Sequence, residues 1–311
     1  MSKFIQVHPC KETTQLCYLV GAVGLGVLIG WGVPRSLSAM MKKYRLRHVP
    51  QHDHDIRRVG ITGSAGCIGT VLREMLPNYD GRLEYVHFTM TDNDIDGSIG
   101  VDLSQPDQVK EKFKGLDCVV HLAAVSNASA SWEDVVKHNV HATYNVLQEC
   151  VHSNVKKIIF ASSNHVMNGH VIGDYSIPES INSNAAEKKF TETDMTLADS
   201  LYGVSKITGE ELCKHFAARY GLEVICFRIG WVRFDDDPST LRDMPQSDYI
   251  RVVYLSQIDC SGAFYKAIIT KPEKKFTSLN LLSDNTKGVY NLDAIQQVLG
   301  LKLKGNSENF Y

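Results

Sequence analysis

In Tyr202-Gly203-Val204-Ser205-Lys206 a phenol and an ammonium stand four residues apart, so a helix would carry both on one face. A phenol titrates at about 10 in water, and to act as a general base near neutrality it needs a cation beside it. Lys206 is placed to be that cation. Ser163 closes the apolar run KKIIFASS at 156–163, where its hydroxyl could hold the substrate oxygen whose proton Tyr202 removes. The spacing alone arises on many amphipathic helices. It gains meaning only if something upstream seats a hydride acceptor.

Two glycine runs compete for that role, GAVGLGVLIG at 21–30 and ITGSAGCIGT at 61–70. The second follows a short apolar strand (59–62) and precedes a helical stretch ending at Pro77. Gly63 permits a tight turn, Gly66 lets backbone approach a pyrophosphate, and Gly69 lets helix pack on strand. Ala65, Cys67 and Ile68 complete the loop, and the helix N-terminus adds partial positive charge for an anion. The first run lies in a stretch without one charged residue, 16–33, which as a helix would span about 27 Å, close to the hydrocarbon core of a bilayer. Lys or Arg at 35, 42, 43, 45 and 47 follow it. The expectation is a tail (1–15), a single transmembrane anchor (16–33) and a basic, polar linker (34–56). A cleaved signal peptide and a buried core helix are the alternatives. The charge bias leaves the C-terminal domain in the cytosol, with the organelle unspecified. Ala22, Gly26 and Gly30 form a small-residue face that could pair helices, and homo-oligomerisation stays open.

Past Arg58, strand and helix patterns alternate. Strands are expected at 59–62, 83–90, 118–126, 156–163 and 223–230, and helices at 105–115, around 138–154 and at 202–220. This alternation specifies an α/β domain over 57–311, a doubly wound parallel sheet with a small substrate-binding part mainly at 231–311. Ligands bind beyond the carboxyl ends of such strands. A carboxylate after strand two would bond the adenosine ribose hydroxyls and favour NAD over NADP, and Asp92 is the nearest candidate. A net charge of −2 gives no electrostatic case for nucleic acid. Eight scattered cysteines without a CxxC pair read as reduced, packed thiols. The histidines at 52 and 54 sit in the linker, and no metal site is expected.

TGSAGCIG (62–69), DL (102–103), HLAA (121–124), Asn139, SSNH (162–165) and YGVSK (202–206) resemble the extended short-chain dehydrogenase/reductase superfamily, over roughly 57–311. FASSNH (160–165), LYGVSK (201–206), RIG (228–230) and LGLKLKGNSENF (299–310) narrow the likeness to uronate dehydrogenases and related NAD-linked sugar-phosphate dehydrogenases. The resemblance implies a Rossmann fold, NAD, and oxidation of the C1 hydroxyl of a pyranose uronic acid to a lactone. It implies Ser163, Tyr202 and Lys206 as the catalytic triad, with Lys206 also holding the nicotinamide ribose. Asp102 would lie by the adenine, while Leu103, Leu122, Ala123, Ala124, Asn139 and Ile229 complete the coenzyme site. Ser126, Asn164 and His165 match substrate-contacting positions. Arg242 is where a carboxylate clamp is expected, since a guanidinium reads a carboxylate bidentately.

Three features depart from that pattern. Trp231 stands where a small serine is usual, the 166–200 segment is long enough to be a surface insertion or a lid, and the carboxylate after strand two is displaced. An epimerase or dehydratase, a dehydrogenase of lipophilic alcohols, and a non-enzymatic NAD-sensing scaffold are the competing readings.

Overall fold

The computed structural model describes residues 56–311 apart from 93, 175–176, 182–188 and 246. The expected tail, the anchor at 16–33 and the linker up to 55 lie outside the described residues. Among the described residues no helix is long and apolar enough to cross a membrane.

Seven parallel strands form the sheet: β1 (Arg58–Thr62), β2 (Glu84–Thr89), β3 (Ile99–Gly100), β4 (Cys118–His121), β5 (Lys157–Ser163), β8 (Glu223–Ile229) and β9 (Phe276–Leu281). Their order is β3-β2-β1-β4-β5-β8-β9. The order reverses between β1 and β4, which makes the crevice beyond their ends the switch point where such sheets bind ligands. β4, β5 and β8 are buried at every residue. Their near-continuous apolar runs are what a parallel sheet covered on both faces requires. A separate antiparallel hairpin, β6 (Ile172–Asp174) and β7 (Ile177–Ile181), lies inside the long 166–200 segment.

The helices are α1 (Cys67–Met75), α2 (Pro106–Val109), α3 (Trp132–Val135), α4 (Ala142–His152), α5 (Asn168–Val171), α6 (Leu201–Tyr220), α7 (Ser247–Val253), α8 (Gln257–Ile269) and α9 (Asp293–Leu299). Phe88, Phe113, Val146, Ile158, Phe160 and Phe216 belong to one core cluster, which packs α4 and α6 on the sheet. α8 packs against α1, and just past the turn that follows α1 Tyr79 stacks on Tyr265 with centroids 4.9 Å apart while its hydroxyl meets Ser261 Oγ at 3.1 Å. The buried Lys157 ammonium of β5 donates to the carbonyls of Ala267, Ile268 and Thr270 at the C-terminal end of α8. A cation there satisfies carbonyls that the helix leaves unpaired.

Several expected bounds move for local reasons. The helix expected at 105–115 stops at Val109, because Lys110 swings out of the helical region to ψ 129° and Glu111 then takes the left-handed conformation at φ 63°. The short β3 at Ile99–Gly100 was not expected as a strand. β4 ends at His121 rather than 126, and the freed backbone crosses the glycine turn. The helix expected from 138 starts at Trp132, capped by Ser131 Oγ, which accepts from Asp134 N at 3.1 Å. Between α3 and α4 the chain makes a π-turn at Val136–His141.

Candidate active site

The coenzyme end is built from backbone. Gly63 has φ +73°, and a Cβ there would sit 2.7 Å from Ala123 N. Only glycine lets the end of β4 pass over the turn. A Cβ at Gly69 would meet Gly63 O at 2.4 Å, so glycine is what seats α1 on the turn. Within 4 Å a Cβ at Gly66 would meet only Gly63 O, at 3.3 Å, which leaves that side open. α1 begins at Cys67 with no side-chain cap, leaving its first-turn N–H groups for an anion. This cradle fits a pyrophosphate. Ala65 is exposed, Ile68 is half-buried, and the Cys67 thiol packs 3.6 Å from Val232 O. Burial pushes that thiol up to about 12, so it stays protonated.

The structure brings Ser163, Tyr202 and Lys206 together. Ser163 ends β5 and caps the following turn, its Oγ accepting from His165 N at 3.2 Å. Tyr202 lies in the first turn of α6, whose N-cap Ser200 accepts from Gly203 N at 3.1 Å. The Tyr202 phenol shares a hydrogen bond with Ser163. Lys206 sits one turn on, its Nζ 5.8 Å from the centre of the Tyr202 ring and 2.7 Å from Ala161 O, to which it donates. Burial pushes Tyr202 up to about 12, with the Asp199 charge adding to that and the Ser163 bond opposing it. Burial also lowers Lys206 to about 8. Desolvation is the largest cause of both shifts.

Beside this trio stands a pair that the sequence did not suggest. His165 Nδ1 lies 2.8 Å from Asp199 Oδ2, and the imidazole meets the Tyr202 ring edge-on at 5.3 Å. Asp199 also accepts from Asn168 Nδ2 at 2.9 Å and Ser200 Oγ at 2.8 Å. Burial opposes ionisation of this carboxyl, but the His165 contact and these bonds outweigh it and hold the carboxyl below its usual range. Asn164 and Asn168 both donate to the Tyr249 hydroxyl, at 2.8 and 2.6 Å, and Trp231 packs 6.3 Å from the Tyr249 ring. His165 is the histidine of the SSNH motif, but Asp199 and Tyr249 come from distant segments with no shared motif, so spacing held no signal for those two.

Other expected residues serve local contacts. The buried Asn139 side chain, carried inward by the π-turn, bonds Val125 N at 2.8 Å, Val125 O at 3.1 Å and Ser205 Oγ at 2.9 Å. It braces the loop after β4 to α6, in a π-turn of the kind often found at functional sites. Leu122, Ala123, Ala124 and the exposed Ser126 lie on that loop, and Ile229 ends β8 opposite Ser163. Asp102 Oδ1 accepts from Ser104 N and Oγ at 3.0 and 2.7 Å, while Leu103 O accepts from Asn145 at 2.9 Å. Asp92 Oδ1 accepts from Gly100 N at 2.7 Å. Arg242 does not join the cluster through any of its contacts: its guanidinium donates to Phe310 O at 2.7 Å and stacks on the Tyr311 ring at 5.3 Å. The carboxylate clamp expected there is not what this geometry makes.

Residues 59–232 match the family described as the NAD dependent epimerase/dehydratase family. The chain belongs to that family. It is 33% identical to an L-arabinose 1-dehydrogenase (NAD(P)(+)) of Haloferax volcanii, over 80% of this chain and 97% of that protein. It is 29% identical to a uronate dehydrogenase of Pseudomonas syringae pv. tomato, over 73% of this chain and 75% of the other. The fold matches the crystal structure of a mutant uronate dehydrogenase from Agrobacterium tumefaciens complexed with NAD, with a TM-score of 0.67 and 24% identity, covering 82% of this chain and 87% of that one. This member of the family is an NAD-dependent enzyme acting on CH–OH groups, with NAD as its coenzyme.

Proposed function

We propose that the enzyme oxidises the C1 hydroxyl of a free neutral sugar to a lactone. The observation that carries this reading is the Ser163–Tyr202–Lys206 group at the carboxyl end of β5, next to the glycine cradle. Ser163 holds the substrate oxygen, and Tyr202, once deprotonated, takes its proton. Lys206 holds the nicotinamide ribose and adds positive charge. Bound NAD accepts the hydride from C1. The cradle residues, together with Asp102, Leu103, Leu122, Ala123, Ala124 and Ile229, seat the coenzyme. His165, oriented by Asp199, and Ser126 meet the sugar hydroxyls.

The choice of a neutral sugar over a uronate rests on the arginines. Those of β8 and of the segment after it are all engaged: Arg228 with Glu210, Arg233 with Asp235, Arg251 with Glu308, and Arg242 with the C-terminal residues. A substrate carboxylate would have to displace the carboxylate partner of Arg228, Arg233 or Arg251, or share Arg242 with the C-terminal residues. The half-buried Trp231, packed on Tyr249, instead offers aromatic surface of the kind that stacks on the CH faces of a sugar. The L-arabinose-oxidising relative supports the same class. A panel of aldopentoses, aldohexoses and the matching uronates, followed by NADH absorbance with the full chain, tests the choice. Neutral sugars should exceed uronates in kcat/KM by at least about tenfold. A preference for uronates would overturn the neutral class alone, and no turnover with any sugar would overturn the sugar reading.

On the sequence, we also propose that 16–33 anchors the chain with the catalytic domain on the cytosolic side. Full-length protein should then stay with membranes through an alkaline wash. Its release would count against the anchor.

A further inference from the structure

A neutral imidazole has one proton to place, and the neighbours of His165 decide where it goes. Nδ1 lies 3.0 and 2.8 Å from the two oxygens of the Asp199 carboxylate, which can only accept. Asn168 Nδ2 is also near, at 3.4 Å from Nδ1. Its amide hydrogens already go to Asp199 Oδ2 at 2.9 Å and to the Tyr249 hydroxyl at 2.6 Å. The Asn168 amide is held in that orientation, because its Oδ1 accepts from Asn164 Nδ2 at 3.0 Å and from the Tyr290 hydroxyl at 3.2 Å. Nδ1 therefore carries the proton, and Nε2 keeps a lone pair. The Asp199 side chain is 6% exposed and that of His165 25%, so the carboxylate is shut in while the imidazole keeps an open edge.

The place of His165 says which oxygen that lone pair can meet. Its backbone N–H donates to Ser163 Oγ at 3.2 Å, and its ring stands edge-on to Tyr202 at 5.3 Å. The imidazole thus borders the position where Ser163 and Tyr202 would hold the C1 oxygen. In an aldose ring C1 has two neighbours, the ring oxygen and C2. The ring oxygen has no hydrogen to give, so against Nε2 it would leave two lone pairs facing each other. The C2 hydroxyl can donate.

We infer that Asp199 is a positioning residue that fixes His165 as a hydrogen-bond acceptor, and that this acceptor reads the C2 hydroxyl of the sugar. The inference rests on the sugar reading above and names the part of the sugar that the site selects. Asp199 acts through the imidazole.

Initial rates with L-arabinose, D-glucose and the 2-deoxy and 3-deoxy analogues of each, on the full chain with NAD, test it. In the natural enzyme a 2-deoxy sugar should lose about 30-fold or more in kcat/KM against its parent, and a 3-deoxy sugar less. His165→Ala and Asp199→Asn should each cut the 2-deoxy penalty by about tenfold, the second because Nε2 is then free to take the proton. Loss of the Asp199 charge also eases ionisation of Tyr202, but that falls on parent and 2-deoxy sugar alike and cancels in the ratio. A variant merely loosened in structure would slow both sugars and keep the penalty. A natural 2-deoxy penalty below about tenfold, a larger penalty for the 3-deoxy sugar, or a penalty that survives Asp199→Asn would overturn the inference and leave the sugar reading standing. No turnover of any sugar by the natural enzyme would overturn both.

Discussion

Tyr202→Phe should cut the rate of sugar oxidation by about 10²- to 10⁴-fold while leaving NADH binding nearly unchanged. The change removes one oxygen from a side chain that is 8% exposed, and the ring keeps its contacts with His165 and the Lys206 ammonium. What goes is the atom that shares a hydrogen bond with Ser163. The pH profile of the natural enzyme should show the same group at work. A phenol near 12 is almost wholly protonated at neutral pH, so oxidation, which needs the ionised phenol, should quicken as pH rises. Lys206, near 8, loses its charge over the range just above that value, and the climb should level off there. Reduction needs the protonated phenol and the charged amine, so it should hold steady below about 8 and fall above it. A phenylalanine variant with more than a tenth of the natural rate would remove Tyr202 from the chemistry, by the magnitude expected of a general base, about 10²-fold or more.

The largest stability effect should come from one layer deeper. Arg228 of β8 forks Glu210 of α6 at 2.8 and 3.0 Å, and both side chains are almost fully buried, at 4% and 2% exposure. Ser162 Oγ donates to the same carboxylate at 2.6 Å. The pair thus ties α6, which carries Tyr202 and Lys206, to the strands that carry Ser163 and Ile229. Glu210→Gln leaves the guanidinium buried without its counter-charge, which should cost about 3–5 kcal/mol. For a domain of this size the melting temperature should fall by roughly 10 °C. Pairing Glu210→Leu with Arg228→Met should recover much of the loss, because no lone charge is then left inside. Thermal melts of the three proteins decide it. A Glu210→Gln melt within about 2 °C of the natural one would show that the pair contributes little.

The sheet was largely legible because a parallel strand buried on both faces writes a continuous apolar run, as in CVVH and KIIFASS. β9 was not. FTSLNL carries polar residues at Thr277, Ser278 and Asn280, and its partner on β8 is more than forty residues upstream. α8 was missed too, since QIDCSGAFYKAII is buried nearly all round and shows no amphipathic stripe. Of the candidate site, the glycine turn and the Tyr202–Lys206 spacing could be read because each lies within a few consecutive residues. The His165–Asp199 contact could not, because it joins the end of one strand to the approach to a helix 34 residues on. Arg242 shows the converse error: a residue suitable in type, carried by its backbone to the C-terminal tail.

The stacking of α8 on α1 bears on how the chain matures as it is made. The glycine cradle lies near the start of the domain, yet the helix it feeds rests through Tyr79 on Tyr265 and Ser261, close to the other end. On a ribosome, where residues emerge N-terminus first, the phosphate loop must wait for some two hundred further residues before its helix has its neighbour. Binding of dinucleotide by a growing chain is therefore a late event. A premature stop before residue 257 would strip that support from the coenzyme end as well as from the sugar end.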